Sequence, residues 1–402
     1  MMWSHVPLLD DYLHFPGCAL LLFAGACLGH LTVMVTSHNW WYGQPLSKKA
    51  GDLVHLLHGF LTVVVPVLLW RFVGWDLTRL FERDTMSAWQ SLVAGYVGLC
   101  WLCAFVLLPL NFLDRWRRQR SAVVLSSQSR VVHVTKELGY QPLGRGKQAL
   151  LARLPGNEVF HIELTERTLC LPRLPAAWQG LTVLHVSDIH LCGIPARDYF
   201  RFVMDRCAAW EPDLVALTGD IVDSKRHHRW IVPVLGRLRW RVAGFAILGN
   251  HDAWLDVPVI RRRLRRVGLR VLANSWEQIE VRGEPLVVIG HEGPWFGREP
   301  DLSTCPADVF RLCLSHTPDH VGWARRHGLD LMLAGHVHGG QIRLPVVGSV
   351  FVPSRHGRRY DCGTFHEPPT LLHVSRGLGG DHPIRYNCRP EVTRIVLQPA
   401  AD

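Results

Sequence analysis

Along the first part of the chain the hydrophobic positions run together without interruption. Residues 17–36 (GCALLLFAGACLGHLTVMVT), 53–70 (LVHLLHGFLTVVVPVLLW) and 85–113 (TMSAWQSLVAGYVGLCWLCAFVLLPLNFL) contain no charged side chain. A helix that crosses a bilayer needs about 20 mainly apolar residues. Three spanning helices are therefore expected at 17–36, 53–74 and 88–110, within a membrane region covering 1–120. Beyond residue 160 the pattern changes. Short apolar runs of strand length (LTVLHV, DLVALT, GFAIL, FRLCLS, DLMLA) alternate with helix-like stretches at 195–210, 257–267 and 317–327. Buried strands read as short apolar runs, and strands alternating with helices indicate a layered α/β fold. Residues 121–159 are polar, hold Gly144, Gly146 and Pro155, and have no clear period. They are expected to be a connector, which leaves 160–402 as the globular domain.

Charge adds an orientation. The N-terminal tail carries Asp10 and Asp11 and no basic residue, and the first loop carries Lys48 and Lys49. The second loop is mixed (Asp76, Arg79, Glu82, Arg83, Asp84), and Arg115, Arg117, Arg118 and Arg120 follow the third span. Basic flanks stay on the cytoplasmic side. The expectation is a multi-pass protein of the inner or plasma membrane with its large C-terminal half in the cytoplasm. The spans hold scattered histidines and no acidic or basic pair, which argues against a transporter or channel. His55 and His58 lie three apart on one face of the second span, near its expected cytoplasmic end. A proton or haem site is the alternative to tolerated polar side chains there. Lys+Arg is 44 against Asp+Glu 34, a net charge of +10. That surplus suits anionic partners such as phosphates or lipid headgroups. RRRLRR at 261–266 spreads arginines round a helix, as a solvated face does, with headgroup docking as the alternative. No aromatic interleaving points to nucleic acid. The 11 cysteines lack zinc-finger spacing, and Cys100 and Cys103 sit in an apolar run as packing residues. This usage fits a reducing compartment.

The apolar runs of the second half each end in residues that bind metals. LTVLHVSDIH ends in Asp188 and His190, DLVALTGD in Asp220, and GFAILGNHD in Asn250, His251 and Asp252. FRLCLSH ends in His316 and DLMLAGHVH in His336 and His338. In α/β sheets functional groups gather at the carboxyl ends of strands, so the five loops should share one rim. Asp188, His190, Asp220, Asn250, His316, His336 and His338 mix carboxylate, carbonyl and imidazole donors. That mixture suits Mn²⁺, Fe²⁺/³⁺ or Zn²⁺ better than a thiolate zinc site. Seven donors exceed one tetrahedral ion and suit two divalent ions about 3.5–4 Å apart. Gly219, Gly249 and Gly335 each precede a ligand, where a missing Cβ and a free φ help a sharp turn. If GHVHGGQ is extended, His336 and His338 point to one side and each can reach a different ion. A lone D-x-H or G-D is common in loops. Five such motifs in order, each behind an apolar run, are not.

The order D-x-H, G-D-x-x-D, G-N-H-D, H, G-H-x-H resembles the calcineurin-like metallophosphoesterase superfamily over residues 160–398. The C-terminal stretch VSRGLGG…PIRYNCRPEVTRIVL is similar to membrane-associated bacterial members, including relatives of UDP-diacylglucosamine pyrophosphatases. The resemblance implies a four-layer α/β/β/α sandwich, here preceded by the transmembrane region. It implies one ion on Asp188, His190, Asp220 and His338, and a second on the shared Asp220, Asn250, His316 and His336. His251 is implied as a catalytic side chain facing the leaving group, with Asp223 and Asp252 as supporting acids. The sequence departs from many relatives at GHEGPWFG (290–297), where they carry a more acidic patch.

The expected activity is hydrolysis of a phosphoester or pyrophosphate by water activated between the two ions. The expected substrate is a phosphorylated lipid or small molecule, lipid-linked or nucleotide-linked. A broad phosphodiesterase on soluble nucleotides is the enzymatic alternative. A non-catalytic metal-binding membrane scaffold is the other, and it leaves His251 without a use. The sequence does not specify an oligomeric state.

Overall fold

The structure, a computed structural model, describes residues 16–80, 87–118, 123–380 and 382–400. Asp10, Asp11, Glu82, Arg83, Asp84 and Arg120, which enter the expected orientation, lie outside the described residues. The chain forms two compact units, one helical and within the first 117 residues, the other α/β from 118 onward.

The helical unit contains α1 (Pro16–Tyr42), α2 (Lys48–Phe72) and α3 (Ala88–Leu102). Three helical segments are long and apolar enough to cross a membrane: Gly17–Tyr42, Lys49–Phe72 and Ala88–Asp114. Ser47 caps α2 through the Ala50 N–H, and Ser87 with Gln90 forms a capping box on α3. α3 continues through a π-helical turn, Cys103–Leu107, into α4 (Leu108–Arg118). Pro109 accounts for that turn. It offers no N–H, and its ring would collide with the carbonyl of residue 105 in a regular helix. The Leu108 N–H reaches back to Cys103 instead, which widens the turn. α1 and α3 come very close at Gly29, where a Cβ would lie 1.8 Å from the Cys100 carbonyl oxygen. Small residues permit such approach between apolar helices. His55 Nδ1 lies 3.1 Å from His38 Nε2, and His58 Nε2 lies 3.1 Å from Ser37 Oγ. Polar groups of α1 thus meet both histidines.

Two sheets make the α/β unit. The first has the order β1-β2-β15-β3-β4-β5-β6, from β1 (Val124–His133), β2 (His161–Leu171), β3 (Thr182–Val186), β4 (Leu214–Thr218), β5 (Ala243–Ile247), β6 (Arg270–Val271) and β15 (Glu391–Pro399). The second has the order β13-β14-β10-β9-β8-β7, from β7 (Trp276–Val281), β8 (Glu284–His291), β9 (Phe310–Ser315), β10 (Leu331–Ala334), β13 (Gly363–Glu367) and β14 (Thr370–Val374). β3, β4 and β5 are parallel, as are β8, β9 and β10. Side chains alternate between faces. In β4, Leu214 and Ala216 enter the core between the sheets with Phe245, Leu312 and Leu331. Val215 and Leu217 face the other way, against Tyr199, Val203, Ile260 and Leu264 of α5 (Arg197–Ala208) and α6 (Val257–Val267). Trp323 and Ala324 of α7 (Val321–Arg326) pack on Val287, Cys313 and Met332 of the second sheet. The layers are helix, sheet, sheet, helix.

Residues 124–133, expected within a connector, instead form the edge strand β1, antiparallel to β2. Most of its side chains are exposed, so it carries no apolar alternation to reveal it. α6 begins at Asp256, whose side chain accepts from the Val259 N–H, and ends at Gly268 with φ 98°. These are the acid cap and the left-handed glycine a helix of this composition calls for. Five parallel strands, β3, β4, β5, β9 and β10, deliver their following loops to one rim.

Candidate metal centre

Asp188 and His190 follow β3, Asp220 follows β4, Asn250 opens a one-turn helix after β5, His316 follows β9, and His336 and His338 follow β10. Five of these seven, Asp188, His190, Asp220, His336 and His338, hold φ between 48° and 71°. Non-glycine residues rarely adopt that region, and where they do it tends to be at functional sites. GHVHGGQ is therefore not extended, and the condition under which its histidines would point to one side is not met. Its two histidines sit in a left-handed turn, and that turn brings each toward Asp220 from a different side. The glycines before the ligands act in two ways. Gly219 uses a positive φ of 94°. Gly249 and Gly335 are required by close approach: a Cβ would lie 2.2 Å from Asp220 Oδ1 at Gly249, and 1.8 Å from Ser187 Oγ at Gly335.

The donor atoms fall into two groups that share Asp220. Asp188, His190, Asp220 and His338 bring ligand atoms within 4.8 Å of one another, and Asp220, His316 and His336 do the same. Asn250 joins the second group, its Oδ1 2.9 Å from His316 Nε2. Tautomers follow from the partners. His316 Nδ1 lies 2.8 Å from the Thr218 carbonyl, which can only accept, so Nδ1 carries the hydrogen. Its Nε2 then faces Asn250 Oδ1 and, at 3.3 Å, Asp220 Oδ2. His190 gives its Nδ1 hydrogen to Asp223 at 2.7 Å, and its Nε2 faces Asp220 Oδ2 at 3.5 Å. His190 Nε2, His336 Nε2 and His338 Nδ1 are buried without a hydrogen-bond partner. Lone pairs crowded in this way repel one another unless a cation lies among them. The residues present fit divalent metal ions.

Charges tell the same story. Burial pushes Asp188 and Asp252 up, Asp252 to about 7, with the Asp220 carboxylate adding to both. Burial would also raise Asp220 and Asp223, but His316 beside Asp220 and His190 beside Asp223 hold both low. Burial opposes the His316 imidazolium, yet Asp220 outweighs it and takes His316 to about 9. This is a buried carboxylate cluster that seeks positive charge.

Asp223 Oδ1 also lies 3.0 Å from His251 Nδ1. Asp252, expected as another acid near that imidazole, is elsewhere engaged. Its carboxylate accepts from the N–H groups of Gly249, Ile221 and Val222. It clamps the Asp220 and Asn250 loops together. His251, Asp223 and His338 are each 13% exposed, while Asp188 and His190 are sealed. The open side of the cluster is thus the His251 side.

Sequence reasoning passed over four residues. Trp295, from GHEGPWFG, stands 4.9 Å from the His336 ring and 5.4 Å from that of His316. Trp254 stands 4.8 Å from His251 and is 41% exposed. Buried Arg385 donates to the His338 carbonyl at 3.1 Å and to that of Arg376 at 2.8 Å. Buried Glu292 accepts from the Leu248 N–H and pairs with Arg261. The aromatic pair inside GHEGPWFG and the Arg of PIRYN were visible, but nothing local tied them to the ligands.

The family model for calcineurin-like phosphoesterase matches residues 181–340. The chain is 34% identical over 220 residues to the phosphodiesterase YaeI of Escherichia coli (strain K12), spanning 54% of this chain and 81% of that protein. It is 29% identical over 250 residues to the uncharacterized metallophosphoesterase YkuE of Bacillus subtilis (strain 168), spanning 60% and 87%. A transmembrane protein with metallophosphoesterase domain from Danio rerio is 26% identical over 375 residues, spanning 84% and 82%. The chain belongs to the calcineurin-like phosphoesterase family. It is a metal-dependent phosphoesterase, a hydrolase, with three helices capable of spanning a membrane.

Proposed function

We propose that the protein is a membrane-anchored dimetal phosphohydrolase with its α/β unit on the cytoplasmic side. Its substrate in this reading is a lipid-linked or nucleotide-linked phosphoester or pyrophosphate, the latter as in the UDP-diacylglucosamine pyrophosphatases. The observation that carries it is the convergence of bare acceptor atoms around Asp220. Asp188, His190, Asp220 and His338 hold one ion, and Asp220, Asn250, His316 and His336 hold the other. Imidazole with carboxylate and carbonyl donors favours Mn²⁺, Fe or Zn²⁺. When bound, the two ions supply Lewis acidity that neutralises phosphoryl charge and makes a water molecule acidic near neutral pH. The protein's own residues then divide the work. Asp223 fixes the His190 and His251 tautomers. His251, on the open side, stabilises or protonates the departing oxygen. Trp254 gives the leaving group an aromatic surface beside that histidine.

The three apolar helices favour a lipid-linked substrate, because a tethered enzyme meets lipids at high local concentration. The phosphodiesterase name of YaeI favours the second reading, a diesterase acting on soluble nucleotides. The test is a turnover screen of full-length protein in detergent, loaded with Mn²⁺. It covers UDP-linked lipid, phosphatidyl lipids, cyclic dinucleotides and aryl phosphates, with Asp220→Asn as blank. Turnover on one class is expected, with Asp220→Asn losing at least one ion and nearly all hydrolysis. Asp220→Asn protein that keeps wild-type turnover and both ions removes the shared-carboxylate assignment.

A further inference from the structure

Just past the His336 and His338 turn, β11 (Arg343–Leu344) and β12 (Gly348–Ser349) pair antiparallel as a small separate hairpin. Leu344, Pro345, Val346 and Val347 are all exposed, Val346 at 86%, and Ile342 before them is 44% exposed. Among the described residues of the α/β unit, no other run of consecutive large apolar side chains is exposed in this way. Scattered apolar residues on a surface need no explanation; a contiguous tip does. Val346 makes the point sharper. Its φ is 65°, a region that disfavours a β-branched residue. Neither burial nor local backbone preference selects valine there, so its apolar side chain answers to something outside the fold.

The hairpin base is braced. Arg343 Nη1 donates to Asp361 Oδ2 at 2.7 Å and to the Gly339 carbonyl at 3.1 Å, and Ser349 Oγ donates to the same Asp361 oxygen at 2.6 Å. The Arg343 N–H bonds the Tyr386 carbonyl, and Asn387 Nδ2 bonds the Arg343 carbonyl. Gly339 adjoins His338, so the tip is fixed to the turn that carries two candidate ligands. The nearby acids, Asp361 on Arg343 and Glu367 on Arg359, are buried. Residues 341–360 contain Arg343, Arg355, Arg358 and Arg359 and no Asp or Glu, and Arg355 is exposed. An apolar tip set among arginines matches the acyl boundary and anionic headgroups of a bilayer. The same chain carries three helices able to cross a membrane, so a bilayer is the surface at hand.

We propose that the β11–β12 hairpin dips into an anionic bilayer surface and holds the mouth of the candidate metal centre at headgroup level. The occupant is lipid, not a second copy of the chain or another protein.

Full-length protein is reconstituted into nanodiscs of phosphatidylcholine and phosphatidylglycerol, with the photocrosslinker p-benzoylphenylalanine at position 346 or, separately, 344. A third version carries it at 242, an exposed valine that precedes β5 and so lies at the opposite end of that strand from the candidate centre. Ultraviolet capture is read by mass spectrometry of the intact chain and its peptides. Gain of one phospholipid mass at 346 and 344, with none at 242, is expected. Capture of protein, equal lipid capture at all three positions, or no capture at 346 and 344 overturns the proposal. Aryl phosphodiester turnover in the same discs reports on the catalytic reading separately.

Discussion

One carboxylate oxygen serves two imidazoles: Asp223 Oδ1 lies 2.7 Å from His190 Nδ1 and 3.0 Å from His251 Nδ1. With His190 as a ligand and His251 as the acid, as proposed, Asp223 would couple metal binding to leaving-group chemistry. Carboxylates that orient a ligating histidine typically matter by 10–100-fold. Asp223→Asn should weaken one ion by about that factor and lower kcat as well, because both tautomers lose their partner. Metal titration followed by calorimetry, alongside kcat, checks this. Unchanged affinity with unchanged kcat would leave Asp223 a bystander.

Gly249 faces Asp220 so closely that its missing Cβ is what leaves room for the carboxylate. Its φ of −111° is open to any residue, so Gly249→Ala acts through contact and not through backbone strain. Shifting a catalytic group by about 1 Å can cost ~10²-fold in rate, and that loss is expected here with far-UV circular dichroism retained. A variant with two bound ions and normal turnover would show that the loop can yield.

Within RRRLRR, the arginines are not equivalent. Arg261 lies 2.5 Å from fully buried Glu292, while Arg262 is exposed. Burial pushes the Glu292 carboxyl up and the Arg261 charge opposes that. Breaking a buried pair from one side costs about 3–5 kcal/mol, the destabilisation expected for Arg261→Ala. Arg262→Ala should stay within about 0.5 kcal/mol of the wild type. Denaturant unfolding of the detergent-solubilised protein separates the two, and equal effects would contradict the pairing.

Acid should weaken the junction of β15 with the loop after β14. Burial would raise the Glu391 carboxyl, but Arg376 and then Arg167 overcome it and hold Glu391 near 2, against an ordinary 4.5. A depressed folded value means stabilisation that is complete above the unfolded value and lost as pH falls through the folded one. The stability gap between wild type and Glu391→Gln should therefore be widest above about 4.5 and close as pH drops toward about 2. A gap that does not vary with pH over that range would rule the pairing out.

The sequence was most legible where residues act locally. α6 occupies 257–267 as read, since its cap, its amphipathic spacing and its terminal glycine are all contiguous. The ligand-bearing loops were legible because each follows a strand buried on both faces, which leaves a pure apolar run such as LVALT. β1 escaped because VLSSQSRVVH lies at a sheet edge with most side chains in water. The clamp made by Asp252 was not legible because its partners, Ile221 and Val222, are brought in by a different loop. The His336 and His338 turn was not legible, because alternation in H-V-H says nothing about φ. Trp295 and Arg385 meet the site only through long-range packing.

The place of β15 has a further consequence. It runs parallel to β2 on one side and antiparallel to β3 on the other, so the last strand in chain order is an interior one. During synthesis β2 and β3 emerge with a gap between them that only residues 391–399 can close. The nascent metal-binding half must wait for residues 391–399 to slot in. Premature termination upstream of that segment would leave two unsatisfied strand edges, a target for quality-control proteases rather than a shortened enzyme.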